Sequence, residues 1–63
     1  MKATYRVVEI RGLTAVVQVT LEDGRGFTLH TGVDRLPELE RMIREHARAL
    51  FGVEVEAVEK AEQ

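Results

Sequence analysis

The stretch that decides the fold is Leu13-Thr14-Ala15-Val16-Val17-Gln18-Val19-Thr20-Leu21. Apolar residues recur at every second position, and side chains two apart in a β-strand lie on the same face. The pattern therefore predicts a strand, the second of the chain, with one face in the core. The predicted core face carries Leu13, Ala15, Val17, Val19 and Leu21.

Turn-forming residues on both sides of this stretch separate it from two further strands. Lys2 to Ile10 is predicted to be strand one, with Arg11-Gly12 as a two-residue hairpin turn. Gly26 to Thr31 is predicted to be strand three. Parity of the core-facing side chains requires an odd-length loop centred on Gly24 between strands two and three.

Strand one needs a β-bulge, because an unbroken register would place Arg6 on the core face opposite Val17. A single extra residue at Val7-Val8 restores apolar residues to that face. The predicted cross-strand pairs are Tyr5 with Val17, Ala3 with Val19, Leu21 with Phe27, and Val19 with Leu29.

One helix follows, with Asp34 as its predicted N-cap, Pro37 in its first turn and Gly52 as the residue that ends it. Val53 to about Glu59 is predicted to be strand four, parallel to strand one if it joins the same sheet. Its position is left open: beside strand one, beside strand three, or on a neighbouring subunit. The predicted core stripe of the helix is Leu36, Leu39, Ile43, Ala47 and Leu50, flanked by His46 and Phe51 and extended by Met42 and Ala49.

The element order β-β-β-α-β predicts a single small α+β domain over residues 1–63. We expect a two-layer sandwich, in which one helix packs on one face of an antiparallel three-stranded meander plus a fourth strand. The other face of the sheet then has no covering layer.

Composition excludes several classes of protein. With 44% apolar and 32% charged residues, the chain is typical of a soluble globular domain. It contains neither Cys nor Ser, which excludes disulfides, thiolate zinc sites and both common nucleophiles. No apolar run is longer than three residues, as in Ala15-Val16-Val17, so we expect a cytoplasmic protein without a membrane partner. Abundant Glu and Arg with no Asn or Cys resembles the composition of heat-tolerant proteins.

Residues that could carry chemistry are few. His30 and His46 are the only imidazoles, and the predicted elements place them on different sides of the molecule. A catalytic zinc needs three clustered ligands, so we predict neither a metal nor a cofactor. An acid–base pair of His30 with Glu54 or Glu56 would need strand four beside strand three, on a face open to water. The chain is therefore predicted not to be an enzyme.

The open sheet face and the outer helix face supply the candidate binding residues. Thr4, Gln18 and His30 are predicted to form one row, with Thr20 paired to Thr28 and Arg6 to Val16. A ligand or nucleic-acid surface on the open sheet face would consist of Arg6, Gln18 and His30. An arginine stripe on the outer helix face would consist of Arg41, Arg44 and Arg48, and it could also bind phosphates. Glu38, Glu40 and Glu45 lie three or four residues before these arginines, which favours ion pairs on a solvated face. The net charge of −2 disfavours nucleic acid.

A 63-residue chain buries a small core, and such chains often gain stability from a partner. We therefore expect a homo-oligomer, most simply a dimer, that acts as a binding or assembly module for protein. The first residues expected at an interface are Val8, Val16 and Val58, with the edge strands.

Two segments resemble the HicB-type antitoxins, whose partial RNase H-like domain has the order β-β-β-α-β. Tyr5-Arg6-Val7-Val8-Glu9 is similar to their first strand, and the segment Glu38 to Ala47 looks like their helix. The Pro-Asp-Leu-Pro-Gly stretch of that family has no counterpart, because Thr20 to Gly24 contains no proline. The resemblance implies a non-catalytic antitoxin that binds a small toxin. The β-β-β-α order also resembles phage integrase arm-binding domains, but those read DNA with a basic sheet.

Overall fold

The computed structural model describes residues 1–60 and confirms the predicted α+β architecture. Its strands are β1 (Lys2–Arg11), β2 (Thr14–Leu21), β3 (Gly26–Gly32) and β4 (Glu56–Glu59). A 3-10 segment, Val33–Glu38, leads into the helix α1, Leu39–Phe51. Within the described residues, no helix is long and apolar enough to cross a membrane.

The four strands form one mixed sheet in the order β3-β2-β1-β4. β1, β2 and β3 are the antiparallel meander, and β4 pairs in parallel with the first half of β1, from Lys2 to Tyr5. Strand four therefore takes the first of the three positions that the sequence left open. β3 and β4 are the two edges of the sheet.

The bulge in β1 is confirmed, because the register shifts between Val7 and Glu9 and leaves Val8 as the extra residue. The turn that follows differs from the prediction: Arg11 pairs with Thr14, so the loop is Gly12-Leu13. Gly12 has φ 62°. A two-residue hairpin loop with positive φ at its first position favours glycine there, which fixes Gly12 as the first loop residue.

This shift moves every predicted pair between β1 and β2 by two residues. Ala3 lies opposite Leu21, and Tyr5 lies opposite Val19 instead of Val17. Leu13 leaves the predicted core face and is 80% exposed in the loop. The faces themselves are as predicted, because a two-residue shift preserves side-chain parity.

The loop between β2 and β3 has an odd length, as predicted, but it is centred on Asp23 instead of Gly24. The Leu21 N–H donates to the Arg25 carbonyl at 2.7 Å, which leaves a three-residue loop. The pairs shift accordingly. Phe27 lies opposite Val19, and Leu29 lies opposite Val17.

The start of the helix also differs from the prediction. Asp34 lies inside the 3-10 segment, whose preceding residue is Gly32, and it does not act as an N-cap. The α-helix begins only at Leu39, two residues after Pro37, and Glu38 is the residue that precedes it. The predicted end is confirmed: Gly52 is left-handed with φ 69°, and its N–H donates to the Arg48 carbonyl at 2.9 Å.

The core lies between α1 and one face of the sheet. Leu39, Ile43 and Ala47 of the predicted stripe are buried, and Leu36 and Met42 pack against them. Leu50 was predicted to be buried but is 58% exposed in the last turn, where Phe51 packs against the core instead. The sheet contributes Ala3, Tyr5, Ala15, Val17, Val19, Leu21 and Leu29, and the segment before β4 contributes Val55.

Candidate interaction surfaces

The sheet face opposite α1 has no covering layer among residues 1–60, and its residues form rows that differ from the prediction. Arg6 lies opposite Gln18, and Gln18 lies opposite Thr28. His30 lies opposite Val16, so the predicted row of Thr4, Gln18 and His30 is wrong. The cause is that the register is shifted by two residues in both hairpins, β1–β2 and β2–β3.

The three valines predicted at an interface all lie on or beside this open face but do not form one patch. Val8 is 44% exposed in the bulge, and Val16 is half-buried beside Glu9. Val58 is half-buried beside Thr4, two rows away. The row that begins with Arg6 lies between them.

The arginine stripe lines one open cavity of about 360 Å³ between α1 and the segment 53–55. Arg41, Arg44 and Arg48 all border it. The side chains therefore share a site, as the helical spacing predicts, but the site also contains Glu45 and Glu54. Two carboxylates among three guanidinium groups leave only a weak excess of positive charge.

The ion pairs of this face follow the prediction in part. Glu38 accepts hydrogen bonds from Arg41 and, at 3.3 Å, from Arg35. These two guanidinium groups, with the Arg41 hydrogen bond as the largest cause, hold the pKa of Glu38 below its usual value. In the described part of the chain, Glu40 and Glu45 make no ion pair with Arg44 or Arg48. Arg48 lies 3.9 Å from Glu54 instead.

Glu40 instead joins the helix to the sheet. The Tyr5 hydroxyl donates to Glu40 Oε2 at 3.0 Å, from the core face of β1 to the first turn of α1. Burial raises the pKa of Tyr5 to about 12, and the carboxylates of Glu40 and Glu59 add to the shift. A negative phenolate there would lose solvation and lie beside negative charge.

The two histidines lie on opposite sides of the sheet, as predicted. His30 is exposed on the open face, and His46 projects from α1, where its ring stacks on Phe27 with centroids 6.1 Å apart. β4 is at the far edge from β3, so neither Glu54 nor Glu56 can approach His30 as a strand neighbour. Residues 1–60 contain no group of three His, Asp or Glu side chains that could hold a metal.

Besides Met1, large apolar side chains are exposed at two places, where the sequence analysis had identified only Val8. Val8, Ile10 and Leu13 lie near the tip of the β1–β2 hairpin, with Ile10 60% exposed. Leu50 is exposed near the end of α1. The glycine that opens the hairpin loop is the signal that could have removed Leu13 from the predicted core.

No family model, curated protein or solved structure matches this chain.

Proposed function

We propose that this protein is a non-catalytic binding module that associates with protein surfaces, and first of all with a second copy of itself. The observation that carries the proposal is that a single helix covers one face of a four-stranded sheet. One face and two edges remain available within the described residues. Exposed apolar groups and unpaired strand edges are the surfaces through which small domains associate.

An exposed apolar side chain supports the proposal. Leu50, near the end of α1, is 58% exposed in a chain of 63 residues. Association that removed it from water would add stabilisation of about 25 cal/mol for each Å² of apolar surface buried. A core as small as this one gains proportionately more from such burial than a large core does.

Sedimentation equilibrium from low to high micromolar concentration tests self-association directly. We expect a reversible dimer and a melting temperature that rises with protein concentration, because association stabilises the folded state by mass action. A cooperatively melting monomer at high micromolar concentration would contradict the proposal.

A nucleic-acid binder is the second candidate, favoured by the cross-strand pair of Arg6 and Gln18 on the open face. Such a surface would have to overcome the net charge of −2. Filter binding of single- and double-stranded DNA and RNA at low salt tests it. Retention that falls steeply with salt and is reduced by Arg6→Ala would support it, and no retention would remove it.

A toxin-binding antitoxin is a narrower form of the protein-binding proposal, favoured by the observed element order. A small basic open reading frame beside the gene would favour it. Coexpression of its product with this chain would then yield a stable complex. A neighbouring product that is neither toxic nor bound would count against this form and leave self-association unaffected.

A further inference from the structure

The outer edge of β3 is the least protected strand edge of the sheet. β3 has seven residues, Gly26–Gly32, and none of residues 1–60 pairs with its outer side. It contains no Lys, Arg, Asp, Glu or Pro, and its register with β2 has no bulge. Soluble proteins normally block an exposed edge with a charge, a proline or a bulge, because an open edge pairs with another strand.

The other available edges carry such protection. β4 has only four residues and carries Glu56 and Glu59. The second half of β1, which extends past β4, carries the bulge at Val8 and the charged residues Glu9 and Arg11. The contrast singles out β3 as the edge left able to pair.

The flank of α1 above β3 is uncharged as well. The Thr31 hydroxyl donates a hydrogen bond to the Met42 sulfur at 3.8 Å, and the His46 ring stacks on Phe27. Met42 and His46 of α1 therefore lie next to β3. Leu50 follows His46 by one helical turn, on the same flank, and is 58% exposed. The opposite flank carries the arginine stripe. The edge and this flank carry no Lys, Arg, Asp or Glu of their own. Charged side chains border the surface only at the two ends of β3: Arg25, which is paired with Asp23 and lies 4.7 Å from the centre of the Phe51 ring, and Asp34, whose carboxylate lies beside Gly32.

The backbone of β3 fits a second copy of itself in one register that uses the whole strand. The carbonyl of Arg25 faces β2, so odd-numbered residues bond inward and the amides of Thr28 and His30 point outward. An antiparallel pair with its two-fold axis at Leu29 places Thr28 opposite His30 of the second copy. It also places Gly26 opposite Gly32 and Phe27 opposite Thr31. No like charges meet, and every outward amide of the strand has a partner.

We infer that a second copy of this chain docks on the surface formed by the β3 edge and the Met42–His46–Leu50 flank of α1. The two β3 strands pair antiparallel about Leu29, and the two four-stranded sheets become one continuous sheet of eight strands. The two helices then lie on the same side of that sheet, antiparallel, with their uncharged flanks facing each other. This inference rests on the proposed self-association and assigns its interface.

Charge placed on the edge tests the surface, with matched controls from the same chain. Thr28→Lys puts a charge on the β3 edge, whereas Thr20→Lys puts the same charge on the same face of an interior strand. Leu50→Glu charges the helix flank, whereas Leu13→Glu charges the exposed hairpin tip. All four side chains are exposed, so the folded monomer should tolerate each change, which circular dichroism checks.

Sedimentation equilibrium of the four variants should separate them. We expect Thr28→Lys and Leu50→Glu to weaken the dimer at least tenfold, and Thr20→Lys and Leu13→Glu to leave its dissociation constant within about twofold. A dimer that survives both edge variants overturns this inference and leaves the proposed function standing. A wild-type chain that is monomeric overturns both.

Cysteine crosslinking tests the register, because the chain contains no cysteine of its own. In the Leu29-centred register, positions 28 and 30 of opposite copies are direct partners with Cα atoms about 5.5 Å apart, within disulfide reach. A mixture of Thr28→Cys and His30→Cys chains should form the mixed disulfide under mild oxidation. Either single variant alone should form little disulfide, because residue 28 of one copy lies diagonally across from residue 28 of the other, and the same holds for residue 30. A preference for 28–28 or 30–30 links would overturn the register.

Discussion

The two faces of the sheet are built from the same strand but differ in what they tolerate. Along β2, Ala15, Val17, Val19 and Leu21 are at most 1% exposed beneath α1. The alternate residues Thr14, Gln18 and Thr20 are exposed on the open face, and Val16 is half-buried. Residues 1–60 contain a single α-helix to supply a second layer. The covered face therefore sets stability, and the open face and the edges are the surfaces on which the proposed association depends.

The difference also explains where charge is placed. Tyr5 is a core-face side chain whose hydroxyl reaches the rim of the covered face, where it donates to Glu40. Arg6 lies on the open face, whereas a β1 strand without the bulge would place Arg6 on the core face. The single extra residue in β1 thus keeps a guanidinium group out of the apolar layer, where its desolvation would be costly.

The largest effect is expected from removing a core residue of α1. Ile43 is fully buried, so Ile43→Ala should lower the free energy of unfolding by about 3 kcal/mol through lost burial and the cavity left behind. That is a large share of the roughly 3–9 kcal/mol expected for 63 residues. Urea denaturation measures it. A loss below about 1 kcal/mol would mean that α1 does not seal the covered face.

The ionisation of Tyr5 should cause a somewhat smaller loss at alkaline pH. Below pH 10 the phenol is protonated in both the folded and the unfolded chain, and the stability it contributes is fully present. As pH rises from 10 to about 12, the unfolded phenol ionises while the folded one resists, so folded-state stability falls. Two pKa units set an upper bound of about 2.7 kcal/mol, and solvent near the hydroxyl reduces the expected loss to about 2 kcal/mol.

Tyr5→Phe is the matched control for this loss, and the chain has no other tyrosine. The variant should lose distinctly less stability than the wild type over the same pH interval in urea denaturation. The near-ultraviolet absorbance of tyrosinate, which reports Tyr5 alone, should rise with a midpoint well above pH 10 while the protein is folded. Equal losses in both proteins would show that Tyr5 is not buried against Glu40.

The alternation in β2 was sufficient to predict which face is buried, because parity survives any shift by an even number of residues. It was not sufficient to predict pairing partners. The register depended on whether Gly12 is the first or the second residue of the hairpin loop, a difference decided by backbone φ. Leu13 and Leu50 were wrongly assigned to the core because periodicity identifies which face of an element is apolar. It does not show where that element extends beyond the layer that covers it.

The candidate surfaces were predicted less completely than the fold. Helical spacing was enough to bring Arg41, Arg44 and Arg48 to one cavity. The rows of the open face depend on register, so His30 was assigned to the wrong neighbours. The unprotected edge of β3 could not be identified from the sequence, because the position of strand four decides which strands become edges.

A pair of neighbouring valines gives the smallest and most direct test of the two faces. Val17→Thr places a hydroxyl in a fully buried site and should cost about 2 kcal/mol, because no polar partner is available there. Val16→Thr makes the same change on the open face and should cost less than about 0.5 kcal/mol.

Measuring both variants at low and high protein concentration sharpens the comparison. If the second copy docks at the β3 edge, the small cost of Val16→Thr should not change with protein concentration. Val16 lies on the open face of β2, one strand inside that edge, and would not be covered by the second copy. A cost that grew with concentration would show that a partner covers the open face at Val16, as the sequence alone led us to expect. Denaturation curves at two concentrations thus decide between the face and the edge as the surface through which this sheet associates.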